Sequence, residues 1–333
     1  MNPRDNDLNI TDEGDHLIFD GFKNFNTGGV VSDLTVLEGV FFGTEHHIFA
    51  FVPTNQPGIE FAVSISRLYI QSELTNLQHN WNNVGLRLTE SGSVKINKVA
   101  VPWTDALGWS PQTRLPDPSI LQIPFATLLL PTIQLVFSNF YLGIAQGSLK
   151  FAVKYTTTST RAWPFGGDNK EKPTEEFYIL ERYGNFFAHL RAAETLADRA
   201  GKEIAGVYER HGEKRGITER ERGEAAEWVA STKVVTTDTA LRVTAGVFEV
   251  TGSRATGRKV GLDRFWRDVR THTLHDPVAY KNREVGEFVL LDKVSQLIIR
   301  PQKLRLICVR FLSQPGIPES ISVIGQTRYL SHL

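Results

Sequence analysis

The sequence predicts an α+β, multi-domain protein: a small β-barrel or sandwich domain followed by an antiparallel four-helix-bundle-like domain. Three observations carry this expectation. Up to about residue 113, β-branched and aromatic residues alternate between Gly, Asn and Pro turn formers. From about residue 114, apolar residues recur at helical spacing instead. With 333 residues, 41% of them hydrophobic, the chain is long enough to bury two cores. The expected boundaries are 1–113 for the β domain, 114–292 for the helical domain and 293–333 for an atypical tail.

The elements follow in order. HLIFDGF, VSDLTVLEGVFF and HHIFAFVP read as strands separated by turns. The stretch VSISRLYIQSELTNLQH, at about 63–79, has weak helical spacing and reads as an insertion. Gly85 to Pro102 reads as a hairpin, with Val94 and Ile96 on one side of a polar break and Val99 and Val101 on the other. Phe140, Ile144, Phe151 and Tyr155 then repeat at helical spacing. The apolar run from Leu128 to Leu149 is interrupted by Pro131, Gln134, Ser138, Asn139 and Gln146, so it reads as a core helix and not a membrane span.

A Pro/Gly loop, Arg161 to Pro173, precedes a long amphipathic helix marked by Phe177, Leu180, Phe187, Leu190, Ala197, Ile204 and Val207. A third helix is expected from about Ala225 to Val250. Thr218 with Glu221 three residues on resembles a capping box at its start. Shorter helices are expected over Phe265–Thr273 and Val278–Leu290. Long antiparallel helices with short links form a bundle.

Composition narrows the function classes. There are 37 Lys and Arg against 37 Asp and Glu, so net charge gives no bulk electrostatic grip on nucleic acid or membrane. The single cysteine, Cys308, permits neither an internal disulfide nor a thiolate metal cage. With no apolar run after Met1, the expected setting is intracellular, in the cytoplasm.

No phosphate-binding GxxxxGK[ST], GxGxxG turn, GxSxG elbow or HExxH helix occurs. His46 and His47 lie next to each other in an expected strand, face opposite sides and make a poor metal clamp, so no metal is expected. Three islands remain. GFKNFNTGG, Gly21 to Gly29, offers backbone N–H groups and a hydroxyl beside an aromatic ring. TRAWPFGG, Thr160 to Gly167, carries an arginine able either to cap a helix or to grip a phosphate. DRFWRDVRTHTLHDP, Asp263 to Pro277, packs three arginines, Phe265, Trp266, His272 and His275 into fifteen residues. The two histidines are three apart, on one helical face.

These islands, in this order, resemble the acyl-CoA dehydrogenase superfamily, and more narrowly its flavin-dependent monooxygenases of the dibenzothiophene monooxygenase type. The matching pieces are KNFNTGG with SDL close behind, GLRLTESGS, YLGIAQGSL, and GVFEVTGSRAT followed by GLDRFWRDVRTHTLHDPVAYK. The last is the most specific.

The resemblance implies roles residue by residue. Phe25, Asn26 and Thr27 fall where the family lines the flavin ring, with Thr27 as a donor, and Ser91 follows the same logic. Arg161 falls on the arginine that reaches the flavin phosphate, usually across a subunit interface. Gly252, Ser253 and Arg254 match the turn near that phosphate. His275 matches the histidine beside the flavin's reactive edge, and His272 its neighbour.

The resemblance also implies FMN more than FAD and a separate reductase delivering reduced flavin. It further implies a small hydrophobic substrate, with sulfur compounds among the candidates, and a homodimer or homotetramer. Acyl-CoA dehydrogenase chemistry is the alternative. It needs a carboxylate base, and here the corresponding stretch offers only Asp276. The family's N-terminal helical domain and first β-domain strand are not recognised in the sequence. A non-catalytic oligomerising relic is therefore a third reading.

Overall fold

The computed structural model describes residues 8–44, 46–61, 81–89, 91–212, 214 and 216–294. The expected insertion at 63–79, Cys308 and the tail beyond Val294 lie outside the described residues. The described residues belong to one compact unit.

Six strands form a sheet in the order β4-β3-β1-β2-β6-β5. They are β1 (Leu8–Glu13), β2 (His16–Lys23), β3 (Leu34–Phe41), β4 (His47–Pro53), β5 (Ile59–Phe61) and β6 (Val94–Pro102). Alternation places one face of each inward. Leu8, Ile10, Leu17, Phe19, Ile48, Ala50, Ile96 and Val101 form a single core capped by Trp103. Strand β1, LNITDE with its polar second half, is not among the strands the sequence predicts. It pairs antiparallel with β2 and parallel with β3. At Gly39 a Cβ would lie 2.7 Å from the Leu8 carbonyl, so the β1–β3 approach requires glycine. A ribbon of β7 (Trp109–Ser110) and β8 (Leu115–Pro116) follows.

The expected hairpin from Gly85 to Pro102 is corrected. Val94 to Pro102 is one strand pairing with β2, and its register shifts between Phe19 and Gly21. The polar pair Asn97–Lys98 is a bulge, with Lys98 at φ 49°, and not a turn. A bulge and a two-residue turn leave the same interruption in an alternating pattern.

The helices are α1 (Pro124–Thr127), α2 (Leu129–Thr158), α3 (Phe177–His211), α4 (Glu219–Thr251), α5 (Asp263–His272) and α6 (Val278–Leu291). Helix α4 is central, packing on α2, α3 and α6. It begins at the expected capping box: the Glu221 amide donates to the Thr218 hydroxyl, and the Glu221 carboxylate accepts from the Thr218 amide. Its interior holds many buried threonines. Thr232, Thr236, Thr244 and Thr251 donate to carbonyls four residues back, so their hydroxyls are satisfied within the helix.

The stripe expected on α3 is corrected at its start. Phe177, Leu180 and Phe187 are exposed, while Ile179, Phe186, Leu190, Ala193 and Ala197 are buried in the bundle core. The buried stripe there is offset by one residue, which leaves an aromatic-rich face open near Trp163 and Phe165. Among the described residues, no helix is long and apolar enough to cross a membrane.

Candidate active site

The last turns of α5 and the turn after it bring five polar groups together. Lys233, on the buried stripe of α4 beside Val229 and Ala230, has a side chain with 0% exposure. Its Nζ donates to Asp276 Oδ1 at 2.7 Å and to the Tyr141 hydroxyl at 3.3 Å. The Tyr141 hydroxyl lies 3.0 Å from His272 Nδ1 and 3.3 Å from the His272 carbonyl. His275 Nδ1 is 3.5 Å from the same Asp276 oxygen. The two imidazoles are nearly parallel, 12° apart in plane with centroids at 5.8 Å, and Phe137 meets both edge-on.

The electrostatics follow from burial and these contacts. Burial, then the neighbouring His275 and Lys233, pull the His272 imidazole down to about 4, so it is neutral near pH 7. Burial and the Asp276 charge push the Tyr141 phenol up, keeping it protonated. Burial opposes ionisation of Asp276. Hydrogen bonding and charge from His275 and Lys233 outweigh it and hold the carboxylate well below its usual range.

His272 opens on a half-open cavity of about 370 Å³ lined by Leu86, Asn139, Phe140, Tyr141, Gly143 and Ile144. Leu86 comes from the β domain. The loop 81–89 is fastened to α5 by three bonds: Gly85 N to Thr271 Oγ1 (2.9 Å), Leu86 N to Asp268 Oδ1 (2.7 Å) and Arg267 Nη1 to the Val84 carbonyl (2.9 Å). Leu86 is held at φ 55°, a conformation costly for a branched residue and maintained by these bonds. From Leu86 the polar chain continues. Thr89 Oγ1 donates to the Leu86 carbonyl, lies 2.6 Å from Ser91 Oγ, and Ser91 Oγ lies 2.6 Å from Thr27 Oγ1.

Of the sequence-predicted residues, Thr27 and Ser91 therefore meet, and His272 and His275 meet. Phe25 sits in the same turn at φ 62°, exposed, edge-on to Trp81. Asn26 anchors the turn through its amide on the Gly92 carbonyl. Its Nδ2 is buried with no acceptor among the described residues.

Arg161 and Gly252–Arg254 are gathered elsewhere, at the far end of α2. Thr160 Oγ1 donates to the Thr251 carbonyl, Gly252 turns at φ 82°, and Arg254 caps the α2 carbonyl of Ser159 at 2.6 Å. Tyr141 and Thr158 are separated along α2 by about 25 Å at about 1.5 Å per residue, so this cluster cannot touch a ligand held at His272 of the same protomer. His46 and His47 diverge as expected. One ring meets Trp109 edge-on and the other lies 3.2 Å from Glu38.

Sequence reasoning missed Lys233 and Tyr141. A signal for Lys233 existed: it falls at helical spacing with Ala226, Val229, Ala230 and Ala240, on the face that had to be buried. Leu86 carried no such signal, because its role depends on a tertiary contact.

Acid sensitivity follows from the same network. The folded pKa of His272, about 4, lies below its ordinary 6.5, so the unfolded chain takes up the proton first. That contribution to stability is complete above pH 6.5 and is lost as pH falls toward 4. Tyr141 acts at the other end: raised above its ordinary 10, it stabilises below pH 10 and loses that contribution as pH rises further. Urea midpoints measured from pH 4 to 11 should fall on both sides, with the loss between pH 6.5 and 4 reduced in His272→Gln.

Comparisons with known proteins give a matching family model and several relatives. The family model described as acyl-CoA dehydrogenase, C-terminal domain, matches residues 135–279. A dibenzothiophene monooxygenase of Mycolicibacterium goodii is 37% identical over 283 residues, covering 84% of this chain and 62% of its own. The chain thus spans 62% of the length of that curated relative. Among solved structures, the methanesulfinate monooxygenase MsuC of Pseudomonas fluorescens superposes with a TM-score of 0.75 at 31% identity, covering 89% of this chain and 69% of that one. FMN-bound TdsC of Paenibacillus sp. A11-2 gives 0.73 at 32%, covering 87% and 68%. On fold, motif and similarity together, this chain belongs to the acyl-CoA dehydrogenase superfamily, in its dibenzothiophene monooxygenase-like branch.

Proposed function

We propose that the chain is the oxygenase component of a two-component flavin-dependent monooxygenase that uses FMN, oxygen and a separate reductase. Its substrate is a small hydrophobic molecule, with sulfur as the atom to be oxidised. The carrying observation is the continuity between two features. The Thr27–Ser91 hydroxyl pair is linked through Thr89 and Leu86 to the cavity that His272 and Tyr141 line.

The residues present fit a flavin ring. Phe25 offers an exposed flat face, and Thr27 and Ser91 offer hydroxyls. The unmatched Asn26 amide leaves donor capacity in the same turn. Reduced flavin supplies the electrons that activate oxygen. The chain's own part is to orient and to exclude water: Leu86, Phe140 and Ile144 form an apolar wall, which favours a small apolar substrate and keeps the site dry. His275, less buried than His272, is placed to hold or pass a proton beside it.

Arg161 and Arg254 lie too far along α2 to serve the same protomer's ring, which supports a homo-oligomer in which they grip a partner's flavin phosphate. The exposed Trp163, Phe165, Phe177 and Phe187 give such an interface its apolar area. A cytoplasmic setting suits a protein that needs reduced flavin from a reductase.

The dehydrogenase reading is weaker on a specific observation. Asp276, the one carboxylate near the family's base position, is bound to Lys233 and held well below the usual range, so it is a poor proton acceptor. The test is to titrate FMN into the full chain, following flavin fluorescence. Oxygen uptake is then measured with a supplied reductase and a thioether or thiophene. Saturable quenching with substrate-dependent oxygen uptake is expected. Flavin reduction by an acyl thioester would favour the dehydrogenase, and no flavin binding at high micromolar concentration would remove both.

A further inference from the structure

We propose that Lys233 is a positioning residue that sets the two neighbouring histidines in opposite tautomers, making His272 a fixed hydrogen-bond donor to the cavity and His275 the proton-exchanging group. Its functional meaning rests on the oxygenase reading above; the tautomer assignment does not depend on that reading.

An ammonium has donors and no acceptor. Toward Tyr141, therefore, Lys233 donates, at 3.3 Å. The phenol keeps its own hydrogen, because burial holds it protonated. That hydrogen has two acceptors in reach, both on His272: Nδ1 at 3.0 Å and the carbonyl at 3.3 Å. The shorter path wins for an electrostatic reason. A phenol polarised by an ammonium is a stronger donor and a weaker acceptor. An Nδ1–H would instead aim its positive end at the same hydroxyl the cation already occupies. His272 Nδ1 is thus bare, and the ring hydrogen sits on Nε2.

The second arm of Lys233 acts through Asp276. The ammonium fixes Oδ1 at 2.7 Å, and that oxygen stands 3.5 Å from His275 Nδ1. A carboxylate holds a hydrogen on the nitrogen facing it. His275 therefore carries Nδ1–H and keeps Nε2 bare, ready to take up or release a proton. Lys233, Asp276, Tyr141 and His275 are the titratable groups that face His272 from α4, α2 and its own segment. Among them the cation and the second imidazole oppose its protonation. One ring is locked neutral beside its stacked partner.

The test uses the full chain, free of flavin, with ¹⁵N-labelled histidine, because ring ¹⁵N shifts distinguish protonated from bare nitrogens. Expected in the unaltered protein are an Nε2–H His272 with a midpoint near 4 and an Nδ1–H His275. Lys233→Met should mix the His272 tautomers and raise its midpoint by about one pH unit. Tyr141→Phe keeps the Lys233–Asp276 pair and should unlock His272 while leaving the His275 tautomer unchanged. It serves if the lysine variant does not fold. An Nδ1–H His272 in the unaltered protein, or a tautomer unmoved in Tyr141→Phe, would overturn the proposal. Failure to bind FMN in the separate titration would sink the oxygenase reading and leave this one standing.

Discussion

Asp276→Ala is expected to lower the unfolding free energy by about 3–5 kcal/mol, the range for stripping one partner from a buried ion pair. Lys233 is fully buried, and Asp276 is the only carboxylate its Nζ meets among the described residues. Remove it and an ammonium is left in the bundle core with only the Tyr141 hydroxyl to hold it. The reverse change is milder. Lys233→Met fills the same volume with an apolar chain, and Asp276, 31% exposed, keeps both water and His275 as partners. Replacing a buried charge by an apolar group of like shape is often neutral. Urea unfolding of the two variants should therefore separate them by several kcal/mol, about 3 or more. Equal losses would show that the pair is not buried as described.

Gly85→Ala is the second large effect expected. A Cβ at Gly85 would collide with the Arg267 carbonyl and lie 2.6 Å from the Asp268 amide nitrogen, both backbone atoms of α5. Neither can swing aside, so the loop must lift. Lifting it breaks three hydrogen bonds between loop and helix, together about 3 kcal/mol at about 1 kcal/mol each, and withdraws Leu86 from the cavity wall. The expected readout is loss of exchange protection at the Gly85 and Leu86 amides, with the unfolding free energy lowered by about 3 kcal/mol. Retained protection at Leu86 would contradict it.

How much was legible in the sequence depended on whether a signal was local. The capping box at Thr218, the long helices and the strands over His16–Lys23, Leu34–Phe41 and His47–Pro53 follow from spacing and turn residues. Each is built from contacts close in sequence. The hairpin expected at Gly85–Pro102 failed because a bulge at Asn97–Lys98 breaks alternation as a turn does. The α3 stripe failed at Phe177 and Phe187, where apolar residues face outward, because helical spacing alone does not say which apolar face is buried. The site was half readable. The histidines and the KNFNTGG turn stand out by composition and resemblance. Lys233, Tyr141 and Leu86 act only because α4, α2 and the loop 81–89 converge on α5, at sequence separations no pattern records.

In the proposed oxygenase, turn 25–29, Ser91, the loop 81–89 and the His272–His275 wall form one flavin site, completed by Arg161 and Arg254 of a partner. Hydrogen exchange of the full chain, with and without FMN, tests it most directly. New protection is expected at two separate places: around Thr27, Leu86 and Ser91, and around Arg161 and Gly252–Arg254. Protection confined to other surfaces, or none while FMN is bound, would contradict it.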